Sequence, residues 1–310
     1  MCNFSYINSK YQYMRGERHI GELFFCDIQS NSIKRVELVD NKEIEYKLFD
    51  DNILGRTHNF RVYNDKIITA NTDIDSISVL KYLERKIINI GVSRGPKDIC
   101  VLNNKVYVVC TDSNSLDIVD LDSSERIITI KVGNYPYSID KDIENNRVYI
   151  ASLISGFIDV IDCEDNSIIQ TIKGLLYPLK VLVSKNNRYL YVLESNIESN
   201  EKGYITFINR KNFKILCRIQ VGMIPIDCIE DDNYIYVSNY GDSTISIINI
   251  EQKQEVLKID VRGAPKAISK YHNSIYYSDY DSGNIYELNL EYEVIKKIAS
   301  GIEPNAIIVI

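Results

Sequence analysis

The chain has 310 residues and a formal charge of -7, with 45% hydrophobic and 25% charged residues. That is ordinary globular composition, which excludes a disordered or collagen-like chain, and the acidic balance argues against a broad phosphate-binding surface for nucleic acid. Tyr occurs 23 times and Trp never, while Ile is abundant and Ala scarce, so strand formers dominate and an all-helical fold is excluded.

In chain order, residues 1–20 contain no apolar stretch of signal-peptide length, and nowhere do 18 consecutive apolar residues occur. The sequence therefore reads as a cytoplasmic protein without a membrane span. Its seven cysteines form no C-x-x-C pair and are expected to be reduced core thiols. ELFFCDI (22–28) ends at a turn-forming Asp27 and reads as the third strand of a repeat, with SIKRVEL (32–38) as its fourth. Lys81 holds the same third-strand position in a degenerate second copy.

The prolines then set the period. Pro96, Pro136, Pro178, Pro225, Pro265 and Pro304 are spaced by 40, 42, 47, 40 and 39 residues, and each is followed three residues later by an apolar side chain. Each of the first five leads to a run centred on Tyr107, Tyr149, Tyr191, Tyr236 or Tyr276, which predicts a second strand with its tyrosine in the packing between blades. A third run ends at Asp120, Asp162, Asn209, Asn249 or Asn289, and a fourth, such as IITIKV (127–132), leads into the next proline. Four short strands every 40 or so residues make one blade of a β-propeller.

Counting Asp27 and Lys81, the third-strand ending occurs seven times, which predicts an all-β, seven-bladed propeller of four-stranded antiparallel blades. The predicted blades are 1–58 plus 304–310, 59–95, 96–135, 136–177, 178–224, 225–264 and 265–303. PNAIIVI (304–310) begins an eighth repeat and stops, so it is expected to close the ring as the inner strand of blade 1, with NFSYIN (3–8) as the competing candidate.

In IYVSNYGDSTISIINI (235–250), Tyr236, Val237, Ser238 and Asn239 stand where a YVTN tetrapeptide would, and VYVVCTDSNSLDIVDL (106–121) and VYIASLISGFIDVIDC (148–163) are looser versions. From 59 to 310 the chain resembles the YVTN repeat family and the YncE-like propellers built from it. The resemblance implies the fold and leaves the function open, because such repeats serve many roles.

Propeller geometry places the second-to-third-strand loops and the links between blades on one face. The spacings of 54 from Asp27 to Lys81 and 47 from Asp162 to Asn209 put two insertions there, NKEIEYKLFDDNIL (41–54) and SNIESNEKGY (195–204). Candidate ligand-binding residues at that rim are Asn71, Asp73, Asp112, Glu194, Asn239, Asp242, Asp279 and Asp281, together with Arg94, Lys97, Tyr137 and Lys266. A rim of carboxylates and amides leaves room for a divalent cation, although no cofactor is required, and its mixed charge suits a protein or a small polar ligand better than a bare ion. The leading expectation is a non-enzymatic binding propeller. The alternative is a cation-assisted hydrolase or lyase of the propeller lactonase type, with His58 or His19 as base. GVSRG (91–95) matches a nucleophile elbow only formally, because it falls in a blade-to-blade link.

Overall fold

The second strand of each repeat is apolar on both faces, as in Lys105–Cys110 (KVYVVC) and Tyr189–Glu194 (YLYVLE), and both are buried from their second residue onward. A strand covered on both sides fits between neighbouring sheets, which is the packing that stacked blades supply. The computed structural model describes residues 21–27, 32–39, 42–47, 55–81, 84, 86–195, 197, 199 and 201–310. Within them the chain forms seven four-stranded antiparallel sheets arranged as a seven-bladed β-propeller.

Blade 2 runs outward from the axis through Thr57–Tyr63, Lys66–Asn71, Ser76–Lys81 and Lys86–Gly91, and blade 3 through Pro96–Leu102, Lys105–Cys110, Ser115–Asp120 and Glu125–Lys131. The later blades repeat this order from inner strands Pro136–Asp142, Pro178–Val183, Pro225–Asp231 and Pro265–Tyr271. Tyr107, Tyr149, Tyr191, Tyr236 and Tyr276 lie in the apolar clusters between blades, as expected.

The C-terminal strand closes the ring. Ile307–Val309 pairs antiparallel with Gly21–Asp27, matching Phe25 to Ile307 and Leu23 to Val309, and takes the inner position of blade 1. The competing segment 3–8 lies outside the described residues.

Blade 1 corrects the sequence reading in one respect. Gly21–Asp27 is its second strand and Ser32–Val39 its third, each one place further in than expected, and Lys42–Lys47, read from sequence as part of an insertion, is its outer strand. Asp27 therefore closes a second strand, where a turn-forming residue is equally welcome. The third strand ends at Val39, 42 residues before Lys81, so the seven-blade count survives with a different seventh marker; part of 41–54 is the outer strand Lys42–Lys47, and nine residues then link Lys47 to Thr57 where four precede Pro96, Pro136, Pro178 and Pro265. The second insertion is real but divided. Blade 5 has a longer loop between Val183 and Tyr189 at one end and between Glu194 and Lys202 at the other.

In blades 2, 3, 4, 6 and 7 the second-to-third loop has four residues, and its last residue is left-handed: Asp75, Asn114, Gly156, Ser243 and Gly283. Asp and Asn tolerate that conformation better than most residues. Gly283 is also pressed hardest against backbone, since a Cβ there would meet the Gly301 carbonyl oxygen at 1.8 Å, whereas one at Gly156 would meet the Leu175 carbonyl oxygen at 2.9 Å. Gly283→Ala should lower blade 7 stability by about 1–3 kcal/mol or more, read as a lower midpoint in chemical denaturation. Ser243→Gly, at the equivalent position in blade 6, which already holds a side chain at φ 56°, should leave stability unchanged or slightly raised.

Side chains pointing toward the axis tie neighbouring blades. Asp98 accepts a bond from the Ile139 amide at 3.1 Å, Ser138 from Val181 at 3.4 Å, and Asp227 from Ile268 at 3.2 Å. Two residues further along, Asp140 accepts from Val183 at 2.7 Å and Ser269 from Val309 at 3.2 Å. Innermost strands have no neighbour on their axial side, so their free amides need acceptors supplied by the adjoining blade.

Candidate ligand-binding site in the central channel

The residue following each repeat proline forms a ring at one mouth of the channel. Thr57 takes the proline place in blade 2, because it pairs with Asn71 as Pro96 pairs with Cys110. Around the axis the ring reads Asn305, His58, Lys97, Tyr137, Leu179, Ile226 and Lys266 for blades 1 to 7, and all seven line one cavity of about 830 Å³. This mouth opens on the face carrying the second-to-third loops, because Pro96 sits beside Cys110, where that loop begins. The cavity falls within the usual range for small-molecule sites.

The ring has two unlike arcs. Leu179 and Ile226 form an apolar arc in blades 5 and 6. The polar arc spans blades 7, 1, 2 and 3, where the Lys97 ammonium lies over the Tyr137 ring at 4.9 Å and the Lys266 ammonium over Tyr280 at 4.0 Å. His58 meets Tyr137 edge-on at 6.0 Å, and its Nδ1 is 3.1 Å from the Lys97 carbonyl oxygen. Tyr135 stacks on Tyr137 at 6.4 Å.

Electrostatically this mouth is short of negative charge. Burial, with Arg56 adding to it, brings the Lys97 pKa down to about 8. Burial and then the Lys97 charge bring Lys266 down to about 8 as well. His58 is held well below its usual range by burial first and then by Lys97 and Lys266, so it is neutral at neutral pH. Burial also pushes the Tyr137 hydroxyl up to about 12.

Deeper in the channel the charges are paired. Arg61 binds Asp98 at 2.8 Å, Lys180 binds Asp227 at 2.8 Å, and Lys270 binds Asp231 at 2.6 Å. Lys141 donates to the Val101 carbonyl at 2.6 Å.

The candidate residues named from sequence divide into three groups. Lys97, Tyr137 and Lys266 come together at the mouth, with His58 beside them. Asn71, Glu194, Asn239 and Asp279 are buried at the ends of second strands and are engaged by the protein itself. Asn71 bonds Thr57 and Ser78, Glu194 binds Arg218 at 2.8 Å, Asn239 donates to Thr244 and Ser246, and Asp279 accepts from the Ala264 amide. Asp73, Asp112, Asp242, Asp281 and Arg94 sit on loops outside the cavity lining, with Asp242 accepting from the Thr244 hydroxyl. His19 lies outside the described residues. Among the described residues no group of three or more His, Cys, Asp and Glu side chains has the arrangement of a metal site.

Sequence reasoning missed Asn305, Leu179 and Ile226 as mouth residues, and Asp98, Lys180 and Asp227 as channel residues. The signal was present, because each follows its repeat proline, or directly follows a residue that does.

No protein-family model matches the sequence, and no curated protein matches it. Solved structures do resemble the fold. A functionally unknown protein from Desulfotomaculum acetoxidans superposes with a TM-score of 0.77 at 11% identity, covering 94% of this chain and 99% of that one. Kuenenia stuttgartiensis hydrazine synthase gives 0.74 at 15% identity over 81% of this chain and 88% of that one. Apo AztD from Citrobacter koseri gives 0.62 at 11% identity over 94% and 98%. At such identities the likeness is one of fold alone, and these neighbours include an enzyme as well as proteins of other kinds. No helix among the described residues is long and apolar enough to cross a membrane.

Proposed function

We propose that this chain is a non-catalytic, YVTN/YncE-like binding propeller that takes a small polar ligand at the Lys97–Lys266 mouth of its channel. The observation that carries the reading is the cavity of about 830 Å³ lined by seven structurally equivalent ring residues, one from each blade. A rigid ring whose equivalent positions differ in chemistry is a scaffold for recognition. The imidazole, carboxylate and thiol groups that a cation-assisted hydrolase or lyase would draw on are engaged elsewhere. His58 is bonded to a backbone carbonyl and faces cations, which suits neither a base paired with a carboxylate nor a metal ligand. Asp98 and Asp227 hold inner-strand amides and their own cations. Cys100 and Cys228 have thiol pKa values pushed up by burial, which makes them poor nucleophiles. Among the described residues six cysteines are free, five of them buried, which fits a reducing compartment such as the cytoplasm.

The test is a thermal-shift screen of small polar compounds on the wild type and on Ile226→Trp, which narrows the mouth. Ligands that raise the midpoint of the wild type should lose that effect in the variant. A ligand stabilising both equally binds elsewhere and sinks the proposal.

A further inference from the structure

Six basic side chains line the cavity, and four of them are satisfied by the protein itself: Arg61, Lys180 and Lys270 by carboxylates, and Lys141 by a carbonyl. Lys97 and Lys266 are the two left over. Among the described residues no carboxylate lies within ion-pair distance of either ammonium, and their close partners are the faces of Tyr137 and Tyr280. Between them in the ring stands Asn305, whose buried Oδ1 accepts no hydrogen bond among the described residues. With nothing to fix the amide's orientation, it can turn Nδ2 toward the channel as a donor. Two unpaired, half-buried cations and a free amide on one arc make a receptor for negative charge. The apolar arc of Leu179 and Ile226 faces the remainder of whatever that charge belongs to.

We propose that the channel mouth binds an organic anion, its carboxylate or comparable acidic group held by Lys97 and Lys266 and its apolar body laid against Leu179 and Ile226. This rests on the channel-ligand reading above and narrows it to a chemical class. Bare inorganic anions satisfy only half of the ring, and neutral ligands only the other half.

The arrangement is costly to the empty protein, which separates it from a structural role. Each lysine has its pKa lowered on folding, so the unfolded chain binds more protons between about pH 8 and the ordinary lysine value, and stability rises with pH across that window. At neutral pH the two charges disfavour the fold. The titratable groups facing them are Arg56, Asp112 and the neutral His58 for Lys97, and Lys97, His58, Glu303, Arg56 and the neutral Cys26 thiol for Lys266, with Arg56 itself paired to Glu303 at 3.2 Å. A bound anion raises both lysine pKa values, so its affinity is full below about pH 8 and falls as pH rises through the raised values.

The experiment is calorimetric titration with 2-naphthoate, its neutral isostere 2-naphthamide, and inorganic phosphate. It uses the wild type, Lys97→Met, Lys266→Met, the distant surface variant Lys131→Met and the narrowed-mouth Ile226→Trp. We expect saturable naphthoate binding that weakens about tenfold or more in each of Lys97→Met and Lys266→Met, is retained in Lys131→Met, and weakens at pH 9.5. The two Met variants should melt at or above the wild-type temperature at neutral pH, which shows that lost binding is not lost folding. Naphthamide binding as tightly as naphthoate, or naphthoate binding unchanged by both Met variants, overturns the anion while leaving a channel ligand in place. Naphthoate binding unchanged by Ile226→Trp overturns the channel reading itself. Binding of phosphate alone, or of none of the three, overturns the organic anion.

Discussion

A chain lacking residues 306–310 should fail to unfold as one cooperative unit, and should regain that transition when a peptide spanning 303–310 is added in trans. Ile307 and Val309 are buried against Leu23, Phe25 and Val36 of blade 1 and against Ala267, Tyr276, Ile285 and Ile298 of blade 7. Losing those two side chains alone removes about 1.5–3 kcal/mol each. The truncation also opens the edge of Gly21–Asp27, including the paired bonds between Glu22 and Ile310 at 2.8 and 3.0 Å. Exposing Leu23 and Phe25 on an unpaired strand adds both destabilisation and a route to aggregation. Against a typical global stability of about 5–15 kcal/mol, the sum is enough to unlock the ring. Circular dichroism against denaturant concentration is the measurement. An unchanged midpoint in the truncated chain would mean that blade 1 closes the ring by other means.

How far this could be read in advance depended on where the prolines are. From blade 3 to blade 7, each inner strand begins at a proline, so Pro96 through Pro265 fixed strand starts as well as the period. Blade 1 takes its proline from the far end of the chain, and blade 2 puts Thr57 in that place. Without that punctuation, Gly21–Asp27 could be recognised as a strand but not placed within its blade, because an Asp can end a second strand as readily as a third. One misplaced strand was enough to make Lys42–Lys47 read as part of an insertion when it is the outer strand of blade 1.

The site was legible only in part for a different reason. Lys97, Tyr137 and Lys266 could be picked out because a residue beside a repeat proline must lie near the mouth. Asn71, Glu194, Asn239 and Asp279 looked equally good, as polar residues ending the neighbouring strand. What separates the two sets is backbone hydrogen bonding. Links between blades carry amides with no strand partner, and those amides must find acceptors. Glu194 and Asp279 serve that need directly, taking the Leu176 amide at 2.5 Å and the Ala264 amide at 2.9 Å. Their polarity is absorbed by the fold, whereas that of Lys97 and Lys266 is not. Periodicity reports where a side chain sits, but which neighbours spend its hydrogen bonds is a property of the folded ring.

Asp98→Ala should cost about 2–4 kcal/mol, the largest single-residue loss among the channel side chains, because it strands inner-strand amides and leaves the half-buried Arg61 without its carboxylate. Asp98 accepts from Arg61 at 2.8 Å, Asn59 at 2.8 Å, and the Ile99 and Ile139 amides at 2.8 and 3.1 Å, so one carboxylate serves blades 2, 3 and 4. Burial alone would discourage charge on Arg61; Asp98, followed by Asp140, more than offsets it and raises the guanidinium pKa. Removing Asp98 returns the desolvation cost and strands the Ile139 amide as well. Arg61→Leu combined with Asp98→Leu should be markedly less damaging than Asp98→Ala alone, since it removes the orphaned charge together with its partner. Equilibrium denaturation of the single and double variants measures that coupling. Additive losses would show that the pair acts as two independent contacts. Strong coupling at Asp98–Arg61, alongside unimpaired stability in Lys97→Met, would divide the channel's cations into those that hold the blades together and those left free for a ligand.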